Sequence, residues 1–329
     1  MVRSIRQSVF FILVLFLLAC GTARAADTIR IAYSSVNPHA LLAWIAEKRG
    51  LYAKYGLSSV LVYVPGGSTS IQALVSGDID LAQLTAPPGV LANMRGADVT
   101  YVAMTDDKMA YQLATRSDIK KPADLKGKRL GISRFGSSSD FSTKVLLSKI
   151  GVDPREVTIL QIGNEQQRLV ALKSGTIDAS IFNAPFGAEA RKFNFNILAD
   201  AGALNILYFN TGMCGSAKMM QSNENKMLNF MRAYVEAIKI FKTEPEYILK
   251  ALSQFSKVDD QELLKEAYEY HKGRIPDVPY PSLAAMQAVV DQLAESDPKA
   301  AKLDAKKFIN DGFLKKLEAE GFTRKLYAR

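Results

Sequence analysis

One stretch of this sequence occurs twice, and the repeat decides the fold. The first copy is Ala73-Leu74-Val75-Ser76-Gly77-Asp78-Ile79-Asp80, followed by Ala86-Pro87, and the second is Ala171-Leu172-Lys173-Ser174-Gly175-Thr176-Ile177-Asp178, followed by Ala184-Pro185. Corresponding residues are 98 positions apart throughout. Each copy predicts a helix end, a Gly in the left-handed cap conformation, and a short strand that ends at a Pro. Two copies this far apart predict two similar lobes, because solenoid repeats have periods of roughly 20–50 residues.

The pattern extends on both sides of each copy. Residues 29–33 and 129–133 predict strands, and each is followed by a predicted helix that ends at Gly50 or Gly151. A second β-rich segment then comes before the repeated stretch in each half. Strand, helix, strand, helix and strand, twice over, predict two parallel-sheet units with right-handed crossovers.

The first 25 residues have the features of a signal peptide. Arg3 and Arg6 precede a short apolar run, and Ala23-Arg24-Ala25 is an A-x-A cleavage site. We expect an exported, periplasmic protein that begins at Ala26, with lipid attachment at Cys20 as the alternative. Cleavage leaves Cys214 as the single Cys, so no disulfide forms within the mature chain, and Cys214 is predicted to be a small buried hydrophobe.

The candidate ligand site is formed by polar loops at the carboxyl ends of the predicted strands, where parallel α/β sheets bind ligands. The loop at 65–70 combines two glycines with three hydroxyls and opens a helix whose first N–H groups can face an anion. Asn164 with Gln167 predicts a capping box in the matching loop of the second lobe. The candidates are Ser34, Ser35, Asn37, Gly67, Ser68, Thr69 and Thr85 from the first lobe, and Arg134, Ser137, Ser138, Asn164 and Asn183 from the second.

Arg134 is the one strong cation in these loops. An Arg fork binds carboxylate or sulfonate oxygens in a bidentate way, so Arg134 indicates an anionic ligand. The alternative is that Arg134 points to solvent or pairs with Asp140. Both interpretations stay open at the level of sequence.

The residues that would carry other functions are few. The net charge is +9, but no basic run is interleaved with aromatic residues, so no nucleic-acid partner is expected. The chain contains 2 His and has no H-E-x-x-H, CxxC, G-x-S-x-G or G-x-G-x-x-G pattern, so we expect no enzyme, no cofactor and no metal. His39 lies at the predicted ligand edge, where it either contacts ligand or faces solvent.

Several of these motifs together resemble one family. They are Trp44 to Tyr52 followed by Tyr55-Gly56-Leu57, Ala73 to Asp80, Asp124 to Arg129, and Gly175 to Asp178 with Pro185. In their order and spacing they are similar to the solute-binding proteins of ABC importers, of the nitrate/sulfonate/taurine type. Thiamine-pyrimidine-synthase-like proteins share that domain, but their Cys-rich motif has no match here because Cys214 is isolated.

The resemblance implies a type II periplasmic-binding-protein-like fold. The fold class is α/β, with two similar lobes of parallel-type sheet, flanked by helices and joined by two hinge crossovers. The expected divisions are a signal peptide at 1–25, a discontinuous first lobe at 26–116 and 208–329 with a helical C-terminal part, and a second lobe at 117–207. The implied function is a monomeric protein that captures a small, sulfonate-like organic molecule and delivers it to an ABC permease. The alternatives are a thiamine-pyrimidine-related binder or enzyme and a periplasmic sensor domain that docks on a receptor.

Overall fold

The computed structural model describes residues 27–328, and the predicted signal peptide lies outside this range. The strands are β1 Asp27–Tyr33, β2 Leu57–Tyr63, β3 Leu81–Leu84, β4 Val99–Lys108, β5 Gln112–Thr115, β6 Arg129–Ile132, β7 Thr158–Gln161, β8 Ala179–Phe182, β9 Asn196–Asp200 and β10 Leu207–Ser216. The helices of the first 200 residues are α1 Leu41–Lys48, α2 Leu51–Lys54, α3 Gly67–Ser76, α4 Ala86–Asn93, α5 Ser138–Lys149, α6 Glu165–Lys173 and α7 Phe186–Lys192. The helices that follow are α8 Ala217–Ser222, α9 Glu224–Thr243, α10 Pro245–Ser256, α11 Gln261–Lys272, α12 Leu283–Ala294, α13 Gly312–Ala319 and α14 Phe322–Tyr327.

These strands form two five-stranded sheets that share one plan. The first has the order β2-β1-β3-β10-β4, and the second has the order β7-β6-β8-β5-β9. In each sheet the three strands of the repeated unit are parallel, and the last two are antiparallel to their neighbours. The two-lobed α/β prediction is confirmed, and each sheet is mixed because strands next to the crossovers complete it.

The first passage between the sheets comes earlier than the sequence predicted. The predicted first segment of lobe one ends at 116, but β5, at Gln112–Thr115, pairs with β8 and β9 in the second sheet. The chain therefore passes between sheets at residues 109–111. The return lies between β9 and β10, since β10 pairs with β3 and β4 in the first sheet.

The repeated stretch does the same structural work in both lobes. Gly77 and Gly175 have φ values of 82° and 75°, so both take the left-handed conformation that ends the helix before them. The Asp that opens each third strand then receives a hydrogen bond from the backbone N–H of the Arg in the first strand, Arg30 to Asp80 at 2.8 Å and Arg129 to Asp178 at 2.9 Å. In each lobe the side chain of this Arg also forms an ion pair with the carboxylate of the same Asp.

The C-terminal helices cover the first sheet. In α9, Met227, Met231, Tyr234, Ile238 and Phe241 are fully buried, as their helical spacing predicts. Cys214 in β10 is buried too, and burial raises the pKa of its thiol to about 12. Within residues 27–328, none of the helices combines the length and the apolar character that crossing a membrane requires.

Candidate functional site

A cleft of about 50 Å³ lies between the two sheets, at the carboxyl ends of the parallel strands. Its walls come from both halves of the repeat. The lining consists of Ser34, Ser35, Val36, Asn37, Ala40, Tyr63, Gly66, Gly67, Gln83, Leu84, Thr85, Tyr111, Ser133, Ser138, Ser139, Asn164, Glu165, Gln166, Arg168, Asn183, Asn210 and Thr211. Hydroxyl and amide groups dominate this set, so the cleft is suited to a small polar molecule.

Eight of the twelve predicted site residues line this cleft: Ser34, Ser35, Asn37, Gly67, Thr85, Ser138, Asn164 and Asn183. Some of them also have structural roles. Asn37 accepts a hydrogen bond from the backbone N–H of Ala40 at 3.0 Å, and Asn164 forms the predicted capping box with Gln167. Contact of these residues with a ligand stays a prediction.

The other four predicted residues lie elsewhere. Ser68, Thr69 and Arg134 line a separate groove on the outside of the cleft, called the outer groove below. Ser137 is fully buried as the N-cap of α5, where its hydroxyl accepts a hydrogen bond from the Asp140 N–H. The capping role of Ser137 and the direction of the other three side chains were not predicted from their sequence positions.

Arg134 is exposed in the outer groove, and none of the ion pairs found among residues 27–328 involves it. The predicted alternative pairing with Asp140 is not formed, because that carboxylate pairs with Lys144 at 2.8 Å. The solvent-facing alternative therefore describes this structure. Arg134 therefore does not line the cleft, and the sequence-based argument for an anionic ligand, which placed Arg134 there, is not supported.

Sequence reasoning missed a buried acid and base in the cleft. Glu165 and Arg168 occupy the first turn of α6, and their side chains are 8% and 3% exposed. The Glu165 carboxylate accepts the Asn183 backbone N–H at 2.6 Å and lies 3.9 Å from the Arg168 guanidinium. Arg168 in turn donates to Gly163 O, Ser180 Oγ and Ile181 O. Burial raises the pKa of Glu165, against the attraction of Arg168, and burial lowers the pKa of Arg168.

Two of the other missed residues, Tyr63 and Gln83, share a sequence signal. Tyr63 is the last residue of its strand, and Gln83 is the one polar residue in the buried strand Leu81–Leu84. A polar residue at or near the carboxyl end of a strand within the repeat is therefore a further candidate for the cleft lining. Burial, helped by the nearby Glu165 charge, raises the pKa of Tyr63 to about 12.

The cleft is closed in this structure. Thr85 Oγ1 of the first lobe and Ser138 Oγ of the second are 2.5 Å apart and share a hydrogen bond. Gly67 lies beside them with little free space around it, since a Cβ on Gly67 would lie 2.8 Å from Pro88 Cγ and 3.4 Å from Ser138 Oγ. The short contact is with Pro88 of the same lobe, so a side chain at 67 would disturb the first lobe's own wall of the cleft.

His39 is neither at the ligand surface nor in solvent, so both sequence-based alternatives were wrong. It is fully buried beneath the cleft, and its Nε2 lies 2.7 Å from His271 Nδ1. His271 is 232 positions away in sequence, which is why no local pattern indicated the contact.

This chain is similar to known proteins both in sequence and in fold. A family model described as NMT1/THI5-like matches residues 37–248. A protein of Brucella abortus (strain 2308), named as a binding protein, is 24% identical over 268 residues, which cover 80% of this chain and 82% of that protein. The alkanesulfonate-binding protein SsuA from Xanthomonas axonopodis pv. citri, bound to MOPS, has a TM-score of 0.72 at 21% identity and covers 88% of this chain and 99% of its own. A Bordetella bronchiseptica RB50 structure has a TM-score of 0.82 at 21% identity, covering 90% and 98% of the two chains.

Proposed function

Because the chain belongs to the NMT1/THI5-like family, we propose that it captures a small polar organic molecule in the inter-lobe cleft and delivers it to an ABC permease. The family resemblance expected from the sequence is confirmed by this match, and the sulfonate-binding structural relative shares the fold. The observation that carries the proposal is the cleft itself. Hydrogen-bonding side chains of both lobes converge there at the carboxyl ends of parallel strands.

The working cycle we propose follows from the repeated architecture. The ligand enters an open form, the lobes close by bending at the two crossovers, and the permease receives the ligand when they reopen. The mature protein acts as a monomer in the periplasm after cleavage behind Ala25. A receptor in place of a permease is the alternative partner.

An anionic, sulfonate-like ligand is the first candidate class. Its support is now the start of α3, not Arg134. Gly66 precedes this helix without a side-chain cap, and Gly66 and Gly67 line the cleft, so the uncapped, positive end of the helix lies at the ligand space. The binding of MOPS, a sulfonate, by the SsuA relative supports the same class.

A ligand that donates hydrogen bonds, such as an aminopyrimidine, is the second candidate class. Gln83 Nε2 donates to His39 O at 2.8 Å and contacts Tyr234 Oη at 2.9 Å, which leaves the buried Gln83 Oε1 without a partner. The Glu165 carboxylate supplies a second acceptor in the same cleft. Buried acceptors are costly unless a donor pairs with them.

Catalysis is not part of the proposal. The Cys214 thiol is buried and has a raised pKa, and neither histidine lines the cleft. The Brucella relative is named as a binding protein. We propose that the protein binds its ligand without changing it.

The test is a thermal-shift screen of the mature protein with alkanesulfonates, nitrate and aminopyrimidines, followed by calorimetry. A ligand at a hundred times its dissociation constant should stabilise the protein by about 2.7 kcal/mol. Small-angle scattering with and without the strongest ligand should then detect compaction. Saturation without compaction would contradict capture by lobe closure.

Glu165→Gln separates the two ligand classes. The substitution keeps the side-chain size and an oxygen acceptor for the Asn183 N–H, but it removes the buried negative charge. Affinity for a sulfonate should stay equal or rise, whereas affinity for an aminopyrimidine should fall about tenfold. Glu246→Gln, on the first turn of α10 and away from the cleft lining, is the control for an unrelated charge change.

A further inference from the structure

The two histidines of this 329-residue chain meet in the interior. His39 comes from the turn before α1 and His271 from the last turn of α11, and their side chains are fully buried. Their rings are 4.4 Å apart between centroids and nearly perpendicular. Such a contact joins two segments that are remote in sequence through a single hydrogen bond between imidazoles.

The groups facing this pair come from several elements. Asp106 at the end of β4 lies 3.3 Å from His39 Nε2. Its carboxylate also receives two hydrogen bonds from Arg274, at 2.9 and 3.1 Å, and one from Asn210 of β10 at 3.1 Å. Tyr270 of α11 packs against His271, and Tyr234 of α9 reaches His39 through the Gln83 amide.

This geometry determines where the protons are. The Asp106 carboxylate can only accept hydrogen bonds, so the neighbouring His39 Nε2 carries a hydrogen, and His271 Nδ1, 2.7 Å from the same nitrogen, must accept. His271 must then be unprotonated at Nδ1, which means that its imidazole is neutral. A proton added at His271 Nδ1 would set two N–H groups against each other at 2.7 Å.

Burial lowers the pKa of His271 well below its usual range, and charge on His39 lowers it further, while Asp106 opposes both effects. Burial also acts to raise the pKa of Asp106, but its hydrogen bonds with His39 and Arg274 prevail and hold it below its usual range. The folded protein therefore disfavours the charged form of His271.

The same three side chains are not built as a metal centre. Arg274 and Asn210 already donate to both oxygens of Asp106, and Arg274 neutralises its charge. The outer nitrogens, His39 Nδ1 and His271 Nε2, have no hydrogen-bond partner, whereas histidines that bind metals almost always donate their second N–H. A divalent ion would have to displace the guanidinium.

The cluster is connected to lobe closure on both sides. Gln83 and Asn210, which line the cleft, bind the His39 carbonyl and the Asp106 carboxylate. Helix α11 also contacts the second lobe, where Arg191 and Lys192 of α7 pair with Glu266 and Asp260. Helix α11 thus holds the second lobe at its first turns and the first lobe at His271.

We propose that the His39–His271 contact is a proton-sensitive latch that fixes α11 to the floor of the cleft and opens when His271 is protonated at Nδ1. Because the folded state disfavours the charged form of His271, the latch stabilises the protein above the unfolded histidine pKa of about 6.5. This stabilisation is lost as pH falls below that value. Acid then loosens α11 and favours the open form of the cleft.

Nitrogen NMR of tag-free, ¹⁵N-histidine-labelled mature protein tests the latch directly, because each spectrum contains two imidazoles. At pH 7 His271 should be the neutral Nε2–H tautomer, and it should remain neutral at pH 6, where a free histidine is mostly charged. Below that, its protonation should coincide with a rise in the radius of gyration. Titration of the His271 ring near pH 6.5, as for a free histidine, would overturn the proposal.

His271→Phe provides the variant test. Between pH 7.5 and 5.5, the wild-type folded-to-unfolded ratio should fall about tenfold more than that of the variant, in which this site cannot titrate. Tyr268→Phe, a buried change on α11 that keeps both histidines, should retain the wild-type pH dependence. If His271→Phe does not fold, the NMR titration decides alone. Stabilisation by added Zn²⁺ that His271→Phe removes would also overturn the latch, in favour of a metal site.

Discussion

The two lobes are most alike at the start of their parallel strands, at the end of each sheet opposite the cleft. Arg30 with Asp80 and Arg129 with Asp178 form the same pairing at the start of the same pair of parallel strands. At the cleft, by contrast, α3 begins behind Gly66 without a side-chain cap, whereas α6 begins in a complete capping box. The two copies agree at the strand junctions and differ at the cleft loops: the helix that borders the cleft starts uncapped in the first lobe, whereas in the second lobe a capped helix start forms the wall.

The largest expected difference between the lobes concerns the repeated aspartates. Asp80→Ala should cost about 2–3 kcal/mol, because it removes the acceptor of the Arg30 N–H and also leaves Lys226, 3.4 Å away, without its partner. Asp178→Ala should cost less, about 1–2 kcal/mol, since among the described residues Asp178 pairs with Arg129 and with no second cation. Urea denaturation of both variants measures this difference. Equal losses would mean that Lys226 contributes nothing.

The pKa of Asp178 predicts how the stability of the fold changes with pH. Hydrogen bonds from Arg129 lower the pKa of Asp178 to about 2, against its burial. A lowered acid pKa stabilises the fold above the unfolded value of about 3.9, and this stabilisation is lost as pH falls toward 2. Asp178→Asn should therefore lose less stability than wild type between pH 5 and 3 in denaturation measurements.

Next in size is the effect of filling the close approach in the first lobe. A Cβ at Gly67 would lie 2.8 Å from the rigid Pro88 ring, so Gly67→Ala should displace the start of α3 and weaken ligand binding about tenfold. Calorimetry with the ligand found by screening measures this. Gly273→Ala is the matched control, since nothing lies within 4 Å of its Cβ position. Equal affinities for the two variants would show that closure tolerates a side chain at 67.

Removing the cap in the second lobe should have a smaller effect. Asn164→Ala deletes the acceptor of the Gln167 N–H and should cost about 1 kcal/mol of stability. Its expected effect on affinity is small if the second lobe acts as a wall. A loss of affinity much larger than the loss of stability would instead assign Asn164 to direct ligand contact.

The smallest effect should come from the bond between the lobes. Ser138→Ala removes the hydroxyl that pairs with Thr85 and should shift the closed form by about 0.5–1.5 kcal/mol, with no change in the fold. Scattering of the ligand-free protein should show a larger radius of gyration than for wild type. An unchanged radius would mean that the closed form does not depend on this bond.

The scaffold was predictable from the sequence because it depends on local signals that occur in duplicate. Glycines after helices and Ile-Asp before strands have one structural consequence each, and two copies in register exclude coincidence. Direction of a side chain within a loop has no such signal, so Arg134 was assigned to the cleft although it lies in the outer groove. The buried contact of His39 depends on a residue 232 positions away, and that of Glu165 on the backbone of Asn183 after a different strand of the same lobe, and local patterns encode neither.

The position of β10 has a consequence for the order in which the chain can assemble. This strand lies between β3 and β4, so the first sheet has a gap at its centre until residue 216 is available. The second sheet needs no strand beyond β9, which ends at Asp200. A chain that emerges N-terminus first can therefore complete its second lobe before its first. The edge of β3 stays unpaired during that interval, and an unpaired edge is where misassembly with other chains begins.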